Sequence, residues 1–520
     1  MFKRVLVWKI SFIKKNLTLI AASIVISSMC LWPAIKEGTY GIFYSIDPDV
    51  HYLSNALSFI TRGKIYYIDH PGTPAIMLQA LLLFPLSLAV KIITGSQFKY
   101  WAFNNIGSVY YYSRIFQSII FTIGIFIFLY SLKRVSKFPL GPILGLSALL
   151  TFTPFYYFGS AISPETTSFT IVSVWVLIYT FFRVNLKTKI IYLLCFISGI
   201  AIANKFTNLF LAVASVLLFF SIKKTNILLK LLKLIAGLSI VGIGFAIGTI
   251  PISDRYPALF RWISTLGTSS GIHGQGEKTI FNPKIYWQSL KTQTNIEKVE
   301  IPIFLIVSLF SPLSAIGKKE NLLHSDKIIS AVFLGGMAIF AKYPLAHYQI
   351  ANLTLLVFIS VIILSRFKRN IILLCTVLLL PTGVSKYSKY IDAINTEVSR
   401  SANLEKYIET HPANSGTLWE WGKSKDFVLI WGRVWAKGLF ADEMYTYRPN
   451  LLELGPDLRS VIVQTNKKTP LLATCWDKLY IQEASVPVFL EKNTNESFEF
   501  TKITGTQMGV ITSNHCLNKH

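Results

Sequence analysis

Stretches of roughly 15–20 residues without a charge recur between Leu17 and Thr382, close to the ~20 residues an α-helix needs to cross a bilayer. Lipid offers no water to backbone amides, so such stretches must close their hydrogen bonds internally, as helices do. The chain is therefore expected to be a polytopic, all-α membrane protein. Its composition agrees: 52% of residues are apolar, 15% are charged and the mean hydropathy is +0.49. Those values exclude a single soluble domain and a disordered chain.

The apolar segments fall near 17–35, 74–94, 113–132, 141–158, 165–182, 190–204, 206–222, 231–250, 301–316, 328–341, 349–365 and 370–383. Charge assigns their sides. Five basic residues (Lys3, Arg4, Lys9, Lys14, Lys15) precede the first segment and place the N-terminus in the cytoplasm. No small-residue cleavage site follows, so this is an anchor rather than a removed signal. Basic groups at 133–137, 183–189, 223–224, 317–319 and 366–369 mark the other cytoplasmic turns. Outer turns then lie at 36–73, 159–165, Lys205, 251–300 and 342–348. Parity requires residues 74–112 to return to the outer side. Either 74–94 lies in the membrane plane or is re-entrant, which is the preferred reading, or 95–112 holds a second, poorly apolar pass. About 11 true crossings result.

The chain carries 51 Lys/Arg against 26 Asp/Glu, a net charge of +25. From Lys386 onward there are 16 basic and 15 acidic residues, leaving 35 against 11 before it. The excess belongs to short membrane loops, so it reports topology and not a nucleic-acid partner. The balanced tail reads as a separate extra-cytoplasmic domain over 386–520, α/β or mixed, with LRSVIVQT and DFVLIW as buried strands. Cys475 and Cys516 lie in this tail and leave room for one disulfide.

Polar chemistry clusters on the outer side. The loop 36–73 holds Asp47, Asp49, Asp69, His51 and His70. A carboxylate there suits proton abstraction from a hydroxyl, or a divalent cation. It equally suits capping of the helix VHYLSNALSFI. Glu165 follows Pro164 in a first helical turn, where a carboxylate favours the helix dipole. It is also one of two acidic residues between 70 and 276. Lys205, Arg255, Arg261, Lys342, His347 and Tyr348 sit at outer turns, and Arg114 near a helix start. Such cations suit an anionic phosphate at the membrane surface, whereas a lysine at a turn also simply snorkels. The loop TLGTSSGIHGQGEKTIFN (265–282) carries four glycines and reads as a mobile lid or a plain surface loop. Its GQGEKT lacks the spacing of a nucleotide-binding P-loop.

In order and sidedness these residues resemble the GT-C superfamily of polytopic glycosyltransferases that use lipid-linked sugars. Within it they resemble the bacterial branch related to protein O-mannosyltransferases and the aminoarabinose transferase of lipid A. The resemblance spans roughly 30–385. It rests on Asp49 with Tyr52, His70-Pro71, Arg114, Thr153-Pro154 followed by Pro164-Glu165, the stretch Gly199 to Thr207, and His347-Tyr348. Two positions depart from the pattern: the second acid is Glu where Asp is usual, and HYQIAN lacks the proline that usually follows His-Tyr.

The resemblance implies a transmembrane catalytic domain over 1–385, with outer loops 36–73 and 251–300, and a periplasmic domain over 386–520 in a bacterial inner membrane. It implies inverting transfer of a sugar from a polyprenyl-phosphate donor to a glycolipid, polysaccharide or protein acceptor. Asp49 would be the base, with Asp47 its rival and Glu165 a further catalytic carboxylate. His70, Tyr52, Arg114, Lys205, Arg255, Arg261, Lys342, His347 and Tyr348 would bind substrate among membrane lipid. No cofactor is required, although a divalent metal would suit Asp47 and Asp49. The alternatives are an O-antigen ligase or polymerase with a diphosphate-linked donor and, further off, a transporter. A transporter would need polar residues near the midplane and an inverted repeat.

Overall fold

The computed structural model describes the chain apart from residue 1 and residues 44–48, 69–71, 137–139, 223–225, 270–277, 280–281, 292–322, 337–349, 366–368, 430–439, 463–467 and 514–520, together with stretches of one to three residues between 285 and 496. The described helices are α1 Phe2–Glu37, α2 Asp49–Arg62, α3 Thr73–Thr94, α4 Phe98–Asn104, α5 Ile106–Val135, α6 Gly141–Thr151, α7 Thr153–Tyr157, α8 Pro164–Phe182, α9 Thr188–Asn204, α10 Leu209–Leu217, α11 Ile227–Thr249, α12 Tyr256–Thr268, α13 His324–Gly336, α14 Ile350–Leu364, α15 Arg369–Thr410, α16 Ala441–Tyr447 and α17 Val486–Lys492. The strands are β1 Thr417–Glu420, β2 Leu451–Leu454, β3 Ser460–Ile462, β4 Lys468–Pro470, β5 Lys478–Gln482, β6 Glu499–Lys502 and β7 Met508–Thr512. This is an all-α polytopic arrangement followed by a mixed β-domain.

Among the described residues, five helical stretches are long and apolar enough to cross a membrane: Leu19–Glu37, Thr73–Thr94, Ile106–Val135, Pro164–Phe182 and Ile227–Thr268. The other apolar helices run 10–17 residues. The expected segment 301–316 lies outside the described residues. Segment 141–158 is broken at Phe152, whose extended backbone (φ −88°, ψ 106°) separates α6 from α7. Segment 74–94 is one continuous helix, so it makes no re-entrant hairpin within itself.

The chain forms two compact units. The first holds residues 1–32, 68–75 and 117–390. Its central helix is α14, apolar all round and buried at every position, as a helix with no polar face must be. The same core holds Phe121, Phe128, Phe155, Phe169, Trp175 and Tyr179, and Tyr179 meets Phe358 of α14 edge-on. By contrast α11, equally apolar, exposes Leu228, Leu232, Ile235, Leu238 and Ile243. An apolar surface of that extent fits lipid rather than water. The other side of α11 meets α9 through small residues. A Cβ on Gly199 would lie 2.2 Å from the Val241 carbonyl oxygen, and one on Gly244 would lie 2.3 Å from that of Phe196. Only glycine permits this approach, the usual device where dispersion rather than hydrophobicity joins helices.

The second unit holds residues 33–67, 76–116 and 391–520. Its seven-stranded sheet has the order β4-β3-β2-β1-β5-β7-β6. The central β2, β1 and β5 are parallel and the outer pairs antiparallel. In β5, Leu479, Tyr480 and Ile481 are all buried, as expected of a parallel strand covered on both faces. Leu418, Leu479 and Ile481 join Val486 and Phe489 in one core. Trp419 stacks on Tyr480 at 4.6 Å, and Tyr407 meets Tyr480 edge-on. Burial, then the neighbouring Tyr407 and Asp477, pushes the Tyr480 phenol up to about 12.

Of the strand expected at DFVLIW, the described residues are Asp426, in a turn, and Leu429, which is helical, and the rest lies outside the described residues; TLWE, just upstream, forms a strand. Apolar content alone does not separate a strand from a buried turn of helix. LRSVIVQT does contain β3. Cys475 and Cys516 lie outside the described residues.

Candidate active site

In the second unit, α2 begins at Asp49, a carboxylate in the first turn that complements the helix dipole. Asp49 is nonetheless fully buried (0% exposed), which a capping role does not require. Its Oδ2 accepts a 2.6 Å hydrogen bond from the Tyr110 hydroxyl. One turn further along α5 is Arg114, 3% exposed, with its guanidinium 5.6 Å from the Tyr110 ring centroid. Arg114 pairs with Glu37, the last residue of α1. The i, i+4 spacing puts Tyr110 and Arg114 on one face of α5. A buried arginine near a helix start thus has its counter-charge, on a residue that the sequence marks only as the end of a segment.

The rest of α2 is pinned by Asn55, whose Oδ1 accepts from the backbone N–H of Tyr66 and of Tyr67, at 2.8 and 3.0 Å. This brings Tyr67 onto α2, where His51 stacks on it at 5.0 Å and Tyr52 meets it edge-on at 5.5 Å. Tyr52 is therefore a buried ring in an aromatic cluster. Asp47, Asp69 and His70 lie outside the described residues. Among the described residues no group of three His, Cys, Asp or Glu side chains could hold a metal ion.

In the first unit, Glu165 and Lys205 form a buried ion pair, at 3% and 2% exposure. The sequence builds it from two helix ends. Pro164 starts α8 with Glu165 in its first turn. Lys205 follows Asn204, the last residue of α9, in extended backbone (φ −161°, ψ 128°). Asn204 donates to the Pro164 carbonyl (2.7 Å) and to Ser168 Oγ (2.8 Å), and Asn208 donates to Ser168 Oγ (2.9 Å). These amides tie the two helix ends together. Three buried acceptors, Glu165 Oε2, Asn204 Oδ1 and Asn208 Oδ1, have no hydrogen-bond partner among the described residues. Each ion of such a pair costs several kcal/mol in desolvation, and an unmet acceptor adds ~1–3 kcal/mol. Stability alone does not account for polar groups held this way inside an apolar bundle.

Arg255 and Arg261 belong to the same unit. Arg255 precedes α12 and has a buried Nη1 with no partner among the described residues. Arg261 is exposed on α12. On that helix Trp262 packs on Phe206, the residue after Lys205, at 5.7 Å. Of the expected lid, Thr265–Thr268 is helical, and an isolated bridge joins Ser269 to Lys278; residues 270–277 between them lie outside the described residues. So do Lys342, His347 and Tyr348.

The structure thus joins Glu165 to Lys205 and supplies Asp49 and Arg114 with partners the sequence did not indicate, Tyr110 and Glu37. Tyr110 resembles one more interfacial aromatic in SVYYYSR. The one available signal was its position four residues before a buried arginine.

No protein-family model matches the chain, and comparison with curated proteins also finds no match. Among solved structures the chain is similar to ArnT from Cupriavidus metallidurans. For the apo form the TM-score is 0.54 at 10% identity, covering 95% of this chain and 97% of that one. For the form bound to undecaprenyl phosphate the TM-score is 0.53 at 10% identity, covering 96% and 98%. The shared property at that identity is the fold, over nearly the whole of both chains.

Proposed function

We propose that this chain is a GT-C-type inverting glycosyltransferase. It takes a sugar from a polyprenyl-phosphate donor and passes it to a glycolipid or polysaccharide of the O-antigen or lipopolysaccharide type. The reaction takes place on the periplasmic face of a bacterial inner membrane. The observation that carries the reading is the buried Glu165–Lys205 pair with its unmet acceptors, set in the fold of a protein crystallised with undecaprenyl phosphate. That compound belongs to the chemical class proposed here for the donor's leaving group.

Each group has a role consistent with its surroundings. Asp49 takes the proton from the attacking hydroxyl or orients it, steadied by the Tyr110 hydroxyl. The hydroxyl displaces the lipid phosphate from the anomeric carbon, inverting it. Lys205 and Arg255 offset the charge that develops on the departing phosphate, and Arg261 contributes at the surface. Glu165 pairs with Lys205 and offers Oε2 to sugar hydroxyls. Arg114, already paired with Glu37, orders Tyr110 and therefore Asp49. Tyr52 shapes the acceptor side, and His70, Lys342, His347 and Tyr348 complete substrate binding.

The domain division proposed is a transmembrane part over 1–385 and a periplasmic part over 386–520. Residues 33–67 and 76–116 fall in one compact unit with 391–520, which supports a common outer side for loop 36–73 and the tail.

Purified protein in nanodiscs, supplied with glycolipid acceptors and either monophosphate- or diphosphate-linked polyprenyl sugars, tests the reading. Transfer from the monophosphate donor alone is expected. Transfer from the diphosphate donor alone would reassign the chain to the ligase or polymerase class.

A further inference from the structure

The helix that carries Asp49 is held at its far end as well. The 14-residue α2 ends at Arg62, followed by Gly63 with φ +67°. Arg62 pairs with Glu443 on α16 of the C-terminal domain and lies over the Phe440 ring, 4.4 Å from its centroid. Glu443 also takes Lys99 of α4 at 3.4 Å. Around this three-charge centre, Asn104 donates to the Tyr447 hydroxyl at 2.6 Å. Phe103 meets Phe440 edge-on at 5.8 Å, and Tyr100 lies 6.0 Å from Tyr447. One carboxylate thus joins three helices that are far apart in the chain but belong to the same compact unit.

We infer that Glu443 is a positioning residue: it clamps α2 and α4 to the C-terminal domain and so keeps Asp49 in place for transfer. The inference rests on the proposed function for what Asp49 does, and not for the clamp. A 14-residue helix is a rod of about 20 Å, fixed at one end by Asp49–Tyr110 and at the other by Arg62–Glu443. Released at Arg62, its C-terminal turn loosens about the Asn55 anchor, and the Asp49 carboxylate at the other end shifts its aim. The charged groups are 20–35% exposed at their side chains. Such a pair contributes little to global stability, so its effect is local.

Two readouts separate the clamp from the chemistry. In Glu443→Gln, amide exchange in peptides covering 50–62 and 98–104 is expected to rise about fivefold, as for loss of one exposed charged contact in a local opening. Peptides covering 478–482 and 508–512 should keep their protection, which confirms an intact sheet. In the same variant kcat falls about fivefold while the donor KM stays put, and Glu443→Asp, which keeps the charge, recovers part of both. Unchanged exchange in α2 overturns the clamp. Raised exchange with unchanged kcat overturns the positioning role. Raised exchange in the variant, with no transfer by the unsubstituted protein, overturns the proposed reaction and leaves the clamp standing.

Discussion

Replacing Gly199 by alanine tests how closely α9 and α11 approach. The added Cβ would stand 2.2 Å from Val241 O, 2.7 Å from Phe245 N and 2.9 Å from Gly244 Cα, where ordinary contact begins at 3.4 Å. All three are backbone atoms of α11, so none can swing aside. The helices must part by about 1 Å, and a gap of about 0.5–1 Å forfeits a quarter to a half of each dispersion contact. Overpacking of this kind costs about 1–3 kcal/mol, or roughly 1.5–5 °C in the melting midpoint of a unit this size. Tryptophan fluorescence during a thermal melt in detergent reads it, since the chain has 11 tryptophans. Gly244→Ala, which meets Phe196 O at 2.3 Å, should behave alike. The double variant should lose less than the sum, because helices already parted accommodate the second methyl. Gly242→Ala is the control, with nothing within 4 Å of its Cβ. If Gly199→Ala melts with the unsubstituted protein, the close approach of α9 and α11 is wrong.

Lys205→Met should cost about 3–5 kcal/mol by leaving Glu165 buried without a counter-charge, and the double variant with Glu165→Gln should recover most of that in a thermal melt. Tyr110→Phe removes the donor to Asp49, a charge-assisted bond worth about 1.5–3 kcal/mol; the transfer rate should fall while the donor KM holds. Tyr480 has a raised folded-state pKa, about 12 against 10.0, so its neutral form is favoured by folding. Its stabilisation is intact below pH 10 and lost as pH rises toward 12. The midpoint of the C-terminal domain should drop across that window, and the drop should shrink in Tyr480→Phe.

Isolated charges in apolar surroundings were the most legible part of the sequence. Glu165 and Lys205 stood out because a bilayer tolerates few ions, but that they pair is a matter of how two helix ends meet, 40 residues apart. Glu37 carries no such signal, because an acidic residue at the end of a spanning segment looks solvated. The apolar segment 370–383 ends where the composition turns polar, yet its helix runs on to Thr410. With no glycine between Gly383 and Gly416 and no proline between Pro381 and Pro412, nothing in fact breaks it. The strand TLWE is hard to read because its four residues carry a weak apolar signal. Least legible were the compact units, which interleave along the chain. Residues 76–94 read as apolar by hydropathy and fall in the same compact unit as the C-terminal domain, and apolarity alone cannot tell lipid from a protein partner.

The most direct test is turnover. Purified protein in nanodiscs receives a labelled polyprenyl-monophosphate sugar and membrane glycolipid, beside Asp49→Asn with its melting midpoint checked. The account predicts labelled glycolipid of inverted anomeric configuration from the unsubstituted protein and at least a hundredfold less from the variant, the size of a lost general base. Equal turnover by a well-folded Asp49→Asn protein, or product that retains configuration, would contradict it.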